Sequence, residues 1–387
     1  MKKKEGWVKK KLGEVCETSS GGTPTKSRSE FYENGNIPWL RSGELNKKYI
    51  LDSELHITEL GMEKSSAKLF PINTVVIAMY GATVGQVSIL KKEMTTNQAI
   101  CGILPNKTST PEYLYYFLKS KKDAFVKDAV GGAQPNISQN LIKSTYLLYP
   151  PLPEQQQIVA ELDCLQGIID KKKEQLQELD KLAQSIFYTM FGDPVENEKG
   201  WEVKKIGDIA QSDLGKTLNK SKDTGNYHPY LCAINIQWNK IDFSSLKEAR
   251  FQSEEISKYS VSKGDLLICE GGDIGRAAIW NRTEPMLYQN ALHRVRFTKE
   301  VLAIYCLYHL FTLKKNNILD TKYSKGVTIK HLVKSSLLSI PIPVPPLPLQ
   351  QEFADKISAI EQQKARIAQS LQDTETLLNS RMDYYFG

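Results

Sequence analysis

The stretch Pro150-Pro151-Leu152-Pro153-Glu154-Gln155-Gln156 opens a run that meets no further proline before Met190-Phe191-Gly192. A second copy begins 195 residues later, as Pro345-Pro346-Leu347-Pro348-Leu349-Gln350-Gln351, and ends in Tyr385-Phe386-Gly387. In the first copy Ile158, Leu162, Leu165, Ile169, Lys172, Leu176, Leu179, Ala183, Ile186 and Met190 alternate four and three apart. That spacing is a heptad seam with one lysine in its middle. The second copy places Phe353, Ile357, Ile360, Lys364, Ile367, Leu371, Thr374, Leu378, Arg381 and Tyr385 at matching positions, with a more polar end. Each copy predicts a helix of roughly 38 residues, about 57 Å long at 1.5 Å per residue. A lone striped helix would leave apolar surface in water, so the two should pair. For both seams to be buried together, the second must run back antiparallel along the first.

Outside the helices the chain also repeats. Gly6-Trp7-Val8-Lys9-Lys10-Lys11-Leu12-Gly13-Glu14 matches Gly200-Trp201-Glu202-Val203-Lys204-Lys205-Ile206-Gly207-Asp208, and Gly81-Ala82-Thr83-Val84-Gly85 matches Gly271-Gly272-Asp273-Ile274-Gly275. Between such anchors the halves diverge, as expected of one scaffold carrying two different surfaces. β-Branched runs such as Thr74–Tyr80, closed by glycine, read as strands, and residues 111–129 and 301–319 have helical spacing. Prolines in the extended exits 146–153 and 337–348 should end any ladder and steer the chain into each helix. The predicted fold is α+β: two tandem mixed α/β domains, 1–149 and 193–344, separated by two long spacer helices, 150–192 and 345–387. The helices form an antiparallel coiled coil with approximate twofold symmetry.

Charge is unevenly distributed. Residues 1–150 carry 21 basic against 14 acidic side chains, and residues 200–344 again 21 against 14. The helical segments with their flanks carry 5 against 10 and 4 against 6. Basic domains on acidic spacers predict that the domains face a polyanion. No apolar run is long enough to span a membrane, and the basic start lacks the apolar core of a signal peptide. The six cysteines are scattered without a CxxC pair, as expected of reduced residues in a cytoplasmic protein, and no metal site is expected.

No catalytic constellation is present. There is no H-E-x-x-H, G-x-S-x-G or kinase set. Leu214-Gly215-Lys216-Thr217 resembles the end of a P-loop, but Ala210 stands where that loop needs its first glycine. Nor is there a cofactor-binding glycine fingerprint or a methyltransferase motif, so the chain is expected not to be an enzyme. The residues suited to DNA lie instead in loops rich in glycine, amides and hydroxyls. In the first half these are Gly22, Thr23, Thr25 and Lys26, then Arg41 and Ser42, then Gln134, Asn136 and Ser138. In the second half they are Lys216, Thr217, Asn235, Gln237, Arg276, Asn290, Lys325, Thr328 and Lys330.

The two Pro-Pro-Leu-Pro-x-Gln-Gln openings, the Phe-Gly helix ends, Gly21-Gly22-Thr23-Pro24 and Gly131-Gly132-Ala133-Gln134-Pro135-Asn136-Ile137-Ser138 resemble the specificity subunit of type I restriction–modification systems. The second half departs from that pattern, with Leu214–Thr217 and Lys325–Ile329 in place of the two loops. The resemblance implies two target-recognition domains, each reading one half of a split double-stranded DNA site, with the helix pair as a ruler for the gap. It also implies docking of two modification (methyltransferase) subunits, which use S-adenosylmethionine to methylate adenine after flipping it. Restriction subunits, which need ATP and Mg, would join them to cleave unmethylated DNA. No cofactor is implied for this chain itself. A non-catalytic coiled-coil adaptor with basic nucleic-acid-binding domains is the alternative, and salt-sensitive but sequence-blind binding would favour it.

Overall fold

The computed structural model describes residues 6–129, 135–219, 221, 223–326 and 330–387. The chain divides into two compact units, Met1–Lys173 with Ala368–Gly387, and Glu174–Ile367. Of the helices among the described residues, those that matter for the site are α1 (Pro111–Ser120), α2 (Gln139–Ser144), α3 (Leu152–Phe191), α4 (Ala303–Lys315), α5 (Lys334–Ser339) and α6 (Leu347–Phe386). The two long ones, α3 and α6, are unbroken over 40 residues each. Among the described residues no helix is long and apolar enough to cross a membrane.

In the first unit the Gly-Trp repeat begins a strand, Val8–Lys11, that pairs antiparallel with the exit strand Tyr146–Tyr149. A five-stranded sheet follows the spatial order Thr18–Ser20, Ile100–Ile103, Val75–Ala78, Val87–Leu90, Tyr49–Ile50. Its central run Val75-Val76-Ile77-Ala78 is buried on both faces, which is why it reads as continuously apolar rather than alternating. A three-stranded sheet of His56–Ile57, Ile37–Leu40 and Thr95–Thr96 lies in the same unit. Helix α1 starts at an N-cap, Thr110, whose hydroxyl accepts from Tyr113 N, with Pro111 in the first turn. Its Tyr113 and Phe117 share a core with Ile77, with Ile158, Leu162 and Ile169 of α3, and with Leu378, Met382 and Phe386 of α6.

The second unit repeats the plan. Strand Glu202–Lys205 pairs antiparallel with Pro341–Val344. This ladder corrects the expectation that prolines would end pairing here. Ile206 N donates to Ile340 O, and in that register Pro341 and Pro343 fall at the non-hydrogen-bonded positions, where a missing N–H costs nothing. One four-stranded sheet runs Ala210–Leu214, Leu292–Phe297, Leu266–Cys269, Ala277–Ile279, and another Lys247–Phe251, Asn226–Leu231, Met286–Tyr288, Ser260–Val261. His309 of α4 is fully buried, its Nε2 3.0 Å from Pro341 O. Burial holds this imidazole neutral, with its pKa near 4.

Helix pairing is antiparallel within each unit. In the first, Arg381 Nη2 donates to Glu161 Oε2 at 2.9 Å, and Lys172 Nζ donates to Ser370 O (2.8 Å) and Thr374 Oγ1 (2.7 Å). The lysine that interrupts the seam thus meets the threonine that interrupts the other copy. In the second, Lys364 Nζ lies 2.7 Å from Asp180 Oδ1. The seam drifts near the end of α3, where Phe187 and Phe191 are buried and Ile186 and Met190 only half-buried. Aromatic packing explains the drift: Phe191 lies 4.8 Å from Tyr305 and 5.3 Å from Phe353, centroid to centroid. Gly192, at φ +77°, then ends the helix in the left-handed conformation that glycine adopts without penalty.

Candidate nucleic-acid interface

The first loop, Gly21–Lys26, divides into a buried and an exposed part. Gly22 is built into the fold. Its N–H donates to Thr96 O (2.9 Å), its carbonyl accepts from Trp39 Nε1 (2.9 Å), and a Cβ there would stand 2.3 Å from Ser66 C. The expectation that Gly22 contacts DNA is therefore corrected, because its N–H and carbonyl are both bonded within the fold. Thr23 is half-buried and hydrogen-bonds Gln98, whereas Thr25 and Lys26 are exposed. Arg41 is held by two carboxylates, Glu44 (3.4 Å) and Glu54 (2.7 Å), and Ser42 starts a short 3-10 turn beside it.

Gln134 lies outside the described residues. Asn136 is exposed, in an isolated antiparallel bridge with Tyr80. Ser138 is the N-cap of α2, its hydroxyl accepting from Leu141 N at 3.1 Å. It is a structural cap rather than a base contact, as the Ser–x–x spacing before a helical run would have indicated.

In the second unit several candidates are committed internally. Lys216 is only 5% exposed, and its Nζ donates to Glu255 Oε2 (2.6 Å) and Arg250 O (2.9 Å) with Asp223 Oδ1 at 3.3 Å. Burial opposes its charge, but the bonds to Glu255 and Asp223 more than offset this and keep its pKa above the usual lysine value. Lys216 is a core ion-pair residue, not a phosphate contact. Lys216→Met is expected to cost about 2–3 kcal/mol, somewhat below a fully buried pair because both carboxylates are partly solvated. Denaturant unfolding of the full chain checks this, and a loss under about 0.5 kcal/mol, the scale of neutral surface changes, would refute it.

Asn235 is also structural. It is fully buried, with Oδ1 accepting from Cys232 N (2.9 Å) and Nδ2 donating to Asp242 O (3.0 Å). Arg276 donates through Nη2 to Ala233 O (2.8 Å), and its Nε is buried without a partner. These three corrections share a cause: a polar residue in a loop or turn looks the same in sequence whether its partner is the protein or a ligand. Exposed Thr217 accepts from half-buried Asn290 Nδ2 (3.2 Å), and exposed Gln237 donates to Ile234 O (3.3 Å). Lys325 and Lys330 are exposed, with Lys330 Nζ donating to Asp320 O (2.9 Å). Thr328 lies outside the described residues.

The exposed candidates gather around one recurring frame. In the first unit the turn Gly81–Thr83 is stitched to the segment ahead of α2: Gly81 N donates to Pro135 O and Ile137 N to Met79 O, both at 2.9 Å. In the second, Leu332 N donates to Glu270 O at 2.7 Å, and Gly271 bridges His331 ahead of α5. The register makes His331, rather than a residue of Lys325–Lys330, the counterpart of Asn136, and Gly271 the counterpart of Tyr80; it corrects the alignment of Gly81 with Gly271 by one residue, since the left-handed glycine that answers Gly81 is Gly272. Sequence reading missed His331 and Tyr80. Counting back from the two proline-marked helix entries, 195 residues apart, would have aligned His331 with Asn136. Among the described residues no group of acids, histidines and cysteines could hold a metal ion.

Comparison with known proteins follows the same repeat. The family model for the type I restriction modification DNA specificity domain matches twice, over residues 4–181 and 198–374. The MjaIX specificity subunit of Methanocaldococcus jannaschii is 29% identical over 388 residues, covering 90% of this chain and 85% of that one. The EcoR124I/EcoR124II specificity subunit of Escherichia coli is 32% identical over 187 residues, 47% of this chain and 46% of the relative. Among solved structures, a chain from work on complex assembly and conformational transition of a type I R-M system superposes with TM-score 0.66 at 19% identity, covering 100% of this chain and 99% of that one. The S subunit from M. genitalium gives 0.56 at 15% identity, over 100% and 98%. These two likenesses concern the fold.

Proposed function

The chain belongs to the type I restriction–modification DNA specificity family, and from that premise we propose that its two domains read the two halves of a split duplex site. It is the specificity subunit of such a system, which carries recognition rather than catalysis. The observation that most supports separate half-site readers is the frame repeated in both units, with one backbone pattern and different outward side chains. Thr25, Lys26 and Asn136 in the first unit, and Thr217, Lys325 and Lys330 in the second, are exposed and of types suited to phosphates and base edges.

The chain would act with two modification subunits, whose S-adenosylmethionine supplies the methyl group for adenine, and with two ATP-dependent restriction subunits in a system that cuts. The helix pair would serve both as docking surface and as the ruler for the gap. The test is methylome sequencing of cells expressing the chain with its methyltransferase partner, against cells lacking only this chain. A split N6-methyladenine motif that vanishes without the chain is expected. In the same assay Asn136→Ala should weaken or relax one half of the motif and leave the other intact. Equal losses in both halves would refute separate readers.

A further inference from the structure

The stitched frame carries an inference about which side chains distinguish the two domains. In an antiparallel bridge, directly opposed residues point to the same face. On that face the first unit sets Tyr80, 41% exposed, against exposed Asn136. The second unit sets Gly271 against exposed His331. With no side chain at 271, the imidazole fills the space instead: its Cε1 and Nδ1 lie 3.4 Å from where a Cβ on Gly271 would stand. The residue behind the bridge changes too. Met79 is buried and apolar, while its counterpart Glu270 is half-buried, its carboxyl pKa raised by burial and lowered in part by His331.

Among the described residues, neither turn is covered at its glycine. A Cβ built on Gly81 or on Gly272, the left-handed glycines of the two turns, would meet nothing within 4 Å. These glycines therefore serve the turn and leave its outer side uncovered. The backbone is held constant by the bridge and its flanking hydrogen bonds while the facing pair is exchanged wholesale, aromatic with amide in one unit and glycine with imidazole in the other.

Resting on the reading of the chain as a half-site reader, we propose that the facing pairs Tyr80/Asn136 and Gly271/His331 determine base identity at one position in each half of the DNA site. The Asn136 amide matches the donor–acceptor edge of adenine, and the ring of Tyr80 beside it suits the thymine methyl. His331 presents a ring N–H to an acceptor edge, and guanine offers two such acceptors, N7 and O6. The first pair selects an A·T pair and the second a G·C pair.

The test exchanges the pairs within the full chain. One variant combines Tyr80→Gly with Asn136→His, and the other Gly271→Tyr with His331→Asn. Each is expressed with the modification partner. The methylated motif is read from host genomic DNA, and the purified complexes are competed with duplexes carrying single base-pair changes in each half. The first exchange should lower discrimination on the order of 10- to 100-fold at one position of one half. Preference there should turn from A·T towards G·C, with the other half and the gap unchanged, and the converse exchange should mirror this in the other half. An unaltered motif with competition unchanged, or changes spread over both halves, overturns the proposal. If an exchanged chain does not fold, Asn136→Ala and His331→Gln carry the same test, each confined to its own half. Should the unsubstituted chain direct no split motif at all, it is the half-site reading that fails. An intact motif indifferent to the exchanges sinks only the assignment of these pairs.

Discussion

Gln155→Ala is expected to destabilise the first domain by about 3–5 kcal/mol, while Gln156→Ala next to it should change stability by less than roughly 0.5 kcal/mol. Both residues belong to the Pro-Pro-Leu-Pro-x-Gln-Gln opening of α3, but only the first is buried. Gln155 Nε2 donates to Thr108 O and Pro150 O, both at 2.9 Å, and Oε1 accepts from Thr110 N at 3.0 Å. Thr110 is the N-cap of α1, so one amide side chain ties the start of a core helix to the start of a spacer helix. Alanine leaves two carbonyls and one N–H without this partner, the Pro150 carbonyl in a buried setting and the other two part-buried, and adds a cavity; each orphaned buried group costs about 1–3 kcal/mol. Gln155→Glu should be no milder, because a carboxylate would face two carbonyl oxygens. Gln350 repeats the arrangement in the second domain, donating to Glu300 O (2.9 Å) and Pro345 O (2.8 Å) and accepting from Leu302 N (2.9 Å). Segment-resolved hydrogen exchange of the full chain checks the pair. Gln155→Ala should speed exchange in the first unit and Gln350→Ala in the second. Indistinguishable behaviour of Gln155→Ala and Gln156→Ala would refute the clamp.

The long helices were legible because their signal is extended: a four–three spacing over ten positions and a proline-marked start leave little room for another reading. Even the polar interruptions were visible in place, though not in meaning, since only the structure brings Lys172 to Thr374 and Lys364 to Asp180. The repeat made the two-unit plan legible in the same way. The candidate site was less so. Lys216 and Asn235 sit in segments that resemble ligand loops, and their burial follows from long-range partners such as Glu255 and Asp242, which local pattern does not reveal. Thr25, Lys26 and Asn136 lie where loop composition placed them, on the surface. His331 escaped notice because its neighbours Lys325 and Lys330 carry the conspicuous charge, whereas its significance comes from register with Asn136 across the repeat.

Inserting one heptad into both long helices, between Lys173 and Asp180 in α3 and between Lys364 and Ser370 in α6, should lengthen the unread gap of the methylated motif by about 3 base pairs. Seven residues add about 10.5 Å of helix, and duplex DNA rises about 3.4 Å per base pair. A heptad also preserves the phase of the apolar seam to within about 20°, so Ile158, Leu162 and Ile169 keep their burial on one side of the insertion and Phe187 and Phe191 on the other. The polar contacts survive as well, because Lys172 still faces Ser370 and Thr374 within its unit, and Asp180 still faces Lys364 within the other. Both half-site sequences should be unchanged, because no recognition loop is touched. An insertion of four residues instead adds about 6 Å and turns the distal part of each helix by about 40°, a stutter that a coiled coil absorbs by local unwinding, and should lengthen the gap by about 2 base pairs with weaker methylation. A heptad in α3 alone should abolish methylation, since it moves one set of polar contacts out of register with its partners on α6. Methylome sequencing of the three insertion variants separates these outcomes. A paired heptad insertion that methylates the original gap would show that the helices hold the domains together without measuring the distance between the two half-sites.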